Sequence, residues 1–182
     1  MSRNAFLMPW GSKMPIRWAA LLALTLGSSA VAQEQTISFP SGVSFETGDT
    51  WAFKGEKYRL FGVQSCLRGT SYRLDTGEEG DCGMRSIASL AALFSTDTIA
   101  CQPIGIAKDS VIFVICAAQI DGVTIDVGTA LISSGAAFAA VLPSGAPATA
   151  AYAIAEMTAK ERRNGLWAGR FDHPVALLTR QR

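Results

Sequence analysis

The chain has 182 residues, of which 49% are hydrophobic, and it carries a formal net charge of +1 with one histidine and four cysteines. The single histidine, His173, and the lack of any C-x-x-C spacing argue against a zinc site. The near-neutral charge argues against a protein that grips nucleic acid mainly through its phosphates.

The first 32 residues have the layout of a cleaved secretory signal peptide. A polar segment with Arg3, Lys13 and Arg17 precedes the apolar run "WAALLALTL" and an A-x-A site that ends at Ala32. A membrane anchor is the alternative, but the apolar run is short for the roughly 30 Å of a bilayer core. We therefore expect a periplasmic or secreted protein without a transmembrane segment, in which residues 33–182 form a single domain.

Cleavage would remove three basic residues and leave 13 basic against 15 acidic ones, so the mature chain is slightly acidic. All four cysteines lie in this part, and an even number in an exported chain favours disulfides. Three connectivities can be drawn. Sequence order favours Cys66 with Cys82, which would close the loop between them, and Cys101 with Cys116, which would face each other on neighbouring strands.

In chain order, the first predicted element is a hairpin over 51–63 that turns at Gly55. A loop rich in glycine, serine and charge follows over 64–82, and helical spacing predicts a helix over 83–94. Alternating and then apolar runs predict a second strand pair at 98–106 and 111–119, which ends in an Asp121-Gly122 turn.

The remaining segments predict a short helix that stops at Gly135, a short strand, and a long C-terminal helix. Pro147 suits the first turn of that helix, Tyr152, Ile154 and Met157 would supply its apolar contacts, and Gly165 would end it. Strands, a helix between hairpins and a closing helix predict an α+β fold, in which a small five-stranded barrel removes the sheet edges.

Three segments carry a family resemblance: "GDT" at 48–50, "YRLFGV" at 58–63 and the tail "AYAIAEMTAKERRNGLWAGRFDHP" at 151–174. They resemble the staphylococcal nuclease (thermonuclease) family, whose fold is an OB-type β-barrel with flanking helices, and the similarity covers about residues 43–174. Cysteines at 101 and 116 and the pair Cys82-Gly83 are typical of exported bacterial members. This resemblance also implies the two disulfides.

The resemblance implies a calcium-dependent phosphodiesterase site, which this chain retains in part. Asp49 matches the first calcium ligand and Arg59 the first phosphate-binding arginine. The second ligand position is Gln64, the general-base position is Leu67, and the second arginine falls near Val111.

These replacements remove most of the chemistry. Calcium binds best with anionic oxygens, and a glutamine oxygen is neutral. Leucine cannot accept a proton, and general-base help is typically worth about 10²- to 10⁴-fold in rate. Glu46 or Asp109 would have to serve in a rearranged site, because Arg68 and Arg73 stay protonated.

We therefore expect an exported, non-catalytic protein, a pseudoenzyme of the nuclease family, that acts as an accessory or binding protein. Its size, leader and incomplete site resemble members associated with biosynthesis of the exopolysaccharide succinoglycan. A polysaccharide or a protein is the expected partner, nucleic acid is disfavoured by the acidic mature chain, and no cofactor is expected. The alternative is a secreted calcium-dependent nuclease with a rearranged site, which would need calcium.

Overall fold

The computed structural model describes residues 36–96 and 99–180. The predicted leader therefore lies outside the described residues. The strands are Ile37–Phe39 (β1), Ser44–Thr47 (β2), Thr50–Phe53 (β3), Glu56–Leu60 (β4), Val63–Ser65 (β5), Ser71–Leu74 (β6), Glu79–Asp81 (β7), Ile99–Ile106 (β8), Ile112–Ile120 (β9), Val123–Asp126 (β10), Ala137–Ala139 (β11) and Gly169–Phe171 (β12). The helices are Cys82–Thr96 (α1), Val127–Ser133 (α2), Ala150–Glu161 (α3) and Pro174–Arg180 (α4), with a 3₁₀ turn at Gly165–Ala168.

The main sheet has seven strands in the order β1-β8-β9-β4-β3-β2, with β10 paired to β9. The two predicted hairpins are present as β3–β4 and β8–β9, and the Asp121-Gly122 turn leads into β10, a strand that the sequence did not predict. The one parallel pair among these strands joins β4 to β9. Mixed α+β architecture is thus confirmed.

The main sheet is curled, as the position of one aromatic ring demonstrates. In a flat sheet, β1 would lie about 19 Å from β3, since neighbouring strands are about 4.8 Å apart. Instead the ring of Phe39 in β1 lies 5.3 Å from Trp51 in β3 and 4.8 Å from Tyr58 in β4. The path nevertheless remains open between β1 and β2, so a closed five-stranded barrel is not confirmed.

The main core lies inside this curl and under α1. Phe39, Trp51, Leu90, Phe94 and Val114 are all almost completely buried there. Helix α1 contributes Leu90 and Phe94, which are four residues apart and so lie on one face of the helix. The ring of Phe94 meets Trp51 at 5.1 Å, so α1 covers the same end of the sheet that carries the β2–β3 turn.

The predicted loop at 64–82 is wrong, because this stretch contains three short strands. β5 pairs with β11, and β6 pairs with both β7 and β12 in a separate three-stranded sheet. The partners that make these short segments into strands lie far away in the sequence. The disulfide Cys66–Cys82 packs beside them in a second small core with Phe138 and Leu166, while Cys101–Cys116 joins facing residues of β8 and β9.

The C-terminal helix α3 begins later than predicted and buries a different face. Pro147 pairs in an isolated bridge with Val141 before the helix, so its predicted place in the first turn is wrong. Ile154 and Met157 are 65% and 62% exposed, so their predicted core contacts are also wrong. The buried stripe instead runs through Tyr152 and Ala159, which are seven residues apart.

No helix in the ranges described is both long and apolar enough to cross a membrane.

Candidate functional site

The carboxylate of Asp49 is the centre of the predicted site, and it is 2% exposed. Oδ1 accepts hydrogen bonds from the hydroxyls of Thr47 and Thr50. Oδ2 accepts one from the Arg59 guanidinium and one from the backbone N–H of Ser65, both at 3.1 Å. Two donors on each oxygen use the full accepting capacity of a carboxylate.

The turn that carries Asp49 is held by close packing against α1. A Cβ at Gly48 would lie 2.4 Å from the Cβ of Ser86 and 2.7 Å from its backbone carbon, so only a glycine fits between the β2–β3 turn and the helix. Ser86 is fully buried, accepts from the Cys66 N–H and donates to the Ala136 carbonyl at 2.6 Å. The site residue thus sits on a rigid junction of sheet and helix.

Arg59 reaches Asp49 because β3 and β4 place Thr50 and Arg59 opposite each other. Its Nη2 donates to Asp49 and, at 3.2 Å, to the amide oxygen of Gln64. The side chain remains 37% exposed, although the aspartate that it pairs with is buried. Arg59 therefore pairs with a buried carboxylate while part of its own side chain is exposed to solvent.

Gln64 in β5 completes this cluster and has a positioning role. Its Oε1 accepts from Arg59, and its Nε2 donates to the backbone carbonyl of Ser65 at 3.0 Å. The resemblance assigns this position to a second calcium ligand. Here the neutral amide is engaged in fixing the guanidinium, so the three residues Asp49, Arg59 and Gln64 form one hydrogen-bonded unit.

The two other predicted positions are not part of this unit. Leu67 lies in the turn after Cys66, where its carbonyl accepts from the Thr70 hydroxyl at 2.7 Å. Val111 lies at the β8–β9 turn, where its carbonyl accepts from the Ala107 N–H. Both side chains are hydrocarbon, so neither position supplies a base or a cation.

Both carboxylates that the sequence offered as substitutes, Glu46 and Asp109, are exposed. Glu46 pairs with Lys57 at 2.7 Å across the β2–β3–β4 surface, and Arg73 pairs with Glu79 at 2.5 Å in the small sheet. Asp109 is exposed in the β8–β9 turn. Within the described ranges, no group of three or more His, Cys, Asp or Glu side chains comes together in an arrangement that could hold a metal ion.

A pocket of about 450 Å³ opens beside Arg59, and we call it the Arg59 pocket. Arg59 and Gln64 lie at its wall, and most of the remaining lining is apolar and comes from β4, β9, the segment 140–148 and α4. Its residues are Arg59, Leu60, Phe61, Gly62, Val63, Gln64, Phe113, Ala140, Val141, Leu142, Pro143, Gly145, Ala148, Val175, Leu178 and Thr179. Volume and lining are typical of a small-molecule site.

His173 lies in a second polar cluster that sequence reasoning missed. Its Nε2 lies 3.2 Å from Glu156 Oε1, and its ring lies 4.6 Å from that of Phe138. The other oxygen of Glu156 accepts from the Ala139 N–H at 2.6 Å. Trp167 and Phe171 pack on the same Phe138 ring, so this cluster ties the C-terminal segment to β11.

No protein-family model matches the chain, and a search of curated proteins finds no match either.

Proposed function

We propose that the protein is an exported, non-catalytic binding protein built on a nuclease-like scaffold. The observation that carries this proposal is the state of Asp49, whose two oxygens already accept four internal hydrogen bonds. A calcium ion would have to replace those donors and would find neutral Gln64 beside them. The retained residues therefore support the fold and shape a pocket.

The motif resemblance and the strand order support an OB-type scaffold. The meander β2–β3–β4, the parallel β4–β9 pair and the antiparallel β9–β8 pair follow one another around the curl. β8 then pairs with β1, and β1 directly precedes β2 in the chain. We propose that β1 and β2 act together as the first strand of an OB-type barrel, divided by the turn at 41–42.

Two disulfides support export, since such bonds persist in oxidising compartments. Within that setting we propose an accessory role in exopolysaccharide biosynthesis, with succinoglycan as the polymer that the resemblance suggests. OB-type folds bind oligosaccharides as well as oligonucleotides, so a polysaccharide or a protein partner suits the scaffold. This role rests on resemblance and not on a contact in the site.

A nuclease assay separates this proposal from the alternative of a calcium-dependent phosphodiesterase. The full chain is produced with export, and the oxidised product is incubated with single-stranded DNA and RNA in calcium or in chelator. Two variants accompany it: Arg59→Ala at the site and Arg73→Ala in the small sheet as a matched control. We expect no cleavage above background in any sample, and no calcium-dependent rise in melting temperature.

Calcium-dependent cleavage by the wild type and by Arg73→Ala that disappears in Arg59→Ala would show a working phosphodiesterase. The proposal of a non-catalytic protein would then be wrong.

A further inference from the structure

The Arg59 pocket combines a mostly hydrocarbon wall with one guanidinium. Phe61 and Phe113 form an edge-to-face pair at 6.1 Å and both line it. Leu142 and Leu178, which line it from the segment after β11 and from α4, are 45% and 39% exposed. Large apolar side chains that meet water around one concavity favour an apolar occupant.

The guanidinium of Arg59 has hydrogen-bonding capacity left over at this wall. Nη2 donates its two N–H groups to Asp49 and Gln64. The three N–H groups on Nε and Nη1 make no hydrogen bond to any residue in the described ranges. Arg59 lines the pocket while Asp49 and Gln64 hold its guanidinium, so these N–H groups are available to an acceptor bound there.

The charge of the pocket limits what that acceptor can be. Of the described residues that line it, Arg59 is the only charged one, and Gln64 and Thr179 are the only other polar side chains. A polyphosphate would lack a second cation. A molecule with one anionic group and a hydrocarbon body would satisfy both the guanidinium and the apolar wall.

We propose that the Arg59 pocket binds a small amphiphilic anion, whose single carboxylate or phosphate group accepts from Arg59 while its alkyl chain or ring packs against Phe61, Phe113 and Leu178. This inference rests on the proposed function, because a working nuclease would use Arg59 on a phosphodiester. It adds a ligand class to that non-catalytic site.

Calorimetric titration of the oxidised product of the full chain with octyl phosphate tests the proposal. Inorganic phosphate supplies the charge without the chain, octanol supplies the chain without the charge, and thymidine monophosphate supplies a nucleotide. We expect octyl phosphate to bind at least about tenfold more tightly than each of the other three, because only it meets both features of the pocket.

Charge placed at the pocket mouth provides the matched variants. Leu142→Glu adds a negative charge at a 45% exposed position, and Leu142→Gln changes the same side chain without charge. We expect Leu142→Glu to bind octyl phosphate about five- to tenfold more weakly than Leu142→Gln. Arg59→Ala should abolish binding, and because Arg59 also partners Asp49, the exposed Leu142 pair keeps the test valid if that variant fails to fold.

Three results would overturn the inference. If inorganic phosphate binds as tightly as octyl phosphate, the apolar wall does not contribute to binding. If octanol binds as tightly, the guanidinium of Arg59 does not contribute. Thymidine monophosphate binding more tightly would point to a nucleotide. If one of these results is found and the protein has no nuclease activity, only the proposed ligand is wrong and the proposed non-catalytic function stands. Calcium-dependent cleavage would instead contradict both the ligand and the function.

Discussion

At the scale of single residues, the segment Gly48-Asp49-Thr50 is explained by packing and hydrogen bonding. Gly48 admits Ser86 of α1, and Asp49 gathers donors from β2, β3, β4 and β5, including the hydroxyl of Thr50. This segment therefore has a structural role, as the junction between the β2–β3 turn and α1.

Replacing Gly48 with alanine tests this junction. Its new Cβ would overlap both the side chain and the backbone of Ser86, and overpacking of this kind typically costs about 1–3 kcal/mol. We expect Gly48→Ala to lose about 2–3 kcal/mol of unfolding free energy in urea denaturation. Gly105→Ala is the matched control: a Cβ there meets nothing within 4 Å, so the change should stay within about 0.5 kcal/mol. Equal losses in the two variants would contradict the packing argument.

The proximity of Asp49 and Arg59 could be expected from the sequence, because a hairpin that turns at Gly55 places positions 50 and 59 in register. Their partners could not be read in the same way. Ser86 and Ser65 are ordinary serines in the sequence, and the contacts that give them a role come from α1 and β5 meeting the β2–β3 turn. Packing between distant segments leaves no local signal.

At the scale of elements, α1 begins with a charged cap. Asp81 accepts from the Met84 N–H at 2.8 Å and from the Gly69 N–H at 2.6 Å, so it joins the helix to the preceding turn. The Met84 bond, with help from the Gly69 and Gly83 N–H groups and the charge of Arg68, lowers the pKa of Asp81 below its usual value.

A lowered pKa in the folded state gives this cap a defined dependence on pH. The unfolded chain binds the proton more readily than the folded protein does. The stabilisation by the ionised cap is therefore fully present above the unfolded pKa of about 3.9 and is lost as the pH falls through the lower folded pKa. Asn keeps a capping oxygen but carries no charge and cannot accept from both N–H groups.

We expect Asp81→Asn to cost about 1 kcal/mol at pH 7 and to lose less additional stability than the wild type between pH 5 and pH 2–3. Urea midpoints measured across these pH values provide the comparison. Parallel acid dependence in the two proteins would show that Asp81 does not contribute to it.

The sequence predicted the long elements and also the β3–β4 hairpin, the short helix α2 and the short strand β11, but it missed β6, β7 and β12. The alternating β8 and β9 and the periodic α1 carry a pattern within themselves. β6, β7 and β12 read "SYRL", "EGD" and "GRF", and their pairing depends on one another and not on local pattern. Strands of three or four residues with mixed polarity are too short to show a period.

At the scale of the whole molecule, the two disulfides stabilise different regions. Cys101–Cys116 links residues that already face each other in the main sheet, whereas Cys66–Cys82 closes the segment that carries β6 and β7. The enclosed loops have similar lengths, with separations of 16 and 15 residues. Chain entropy therefore predicts a similar global loss of about 3 kcal/mol for each bond.

Removal of either disulfide should lower the unfolding free energy by a similar amount, but local protection against proteolysis should differ between the two variants. We expect Cys66→Ala/Cys82→Ala to accelerate trypsin cleavage after the exposed Arg68 and Arg73, because the covalent closure of their segment is lost. Cys101→Ala/Cys116→Ala should leave cleavage after Lys108 near the wild-type rate, since the β8–β9 ladder remains. Mass spectrometry of early fragments distinguishes the sites, and equal acceleration at all three would contradict this assignment.

The sequence separation of the paired strands also affects the order in which the protein can fold as it is synthesised from the N-terminus. β1 must wait for β8, on the far side of α1, and β6 must wait for β12, close to the last described residues. Both disulfides, in contrast, join cysteines that are near each other in sequence. Both disulfides can therefore form before either long-range strand pairing is made. Early formation of these local bonds would reduce mispairing of cysteines while the chain is still incomplete.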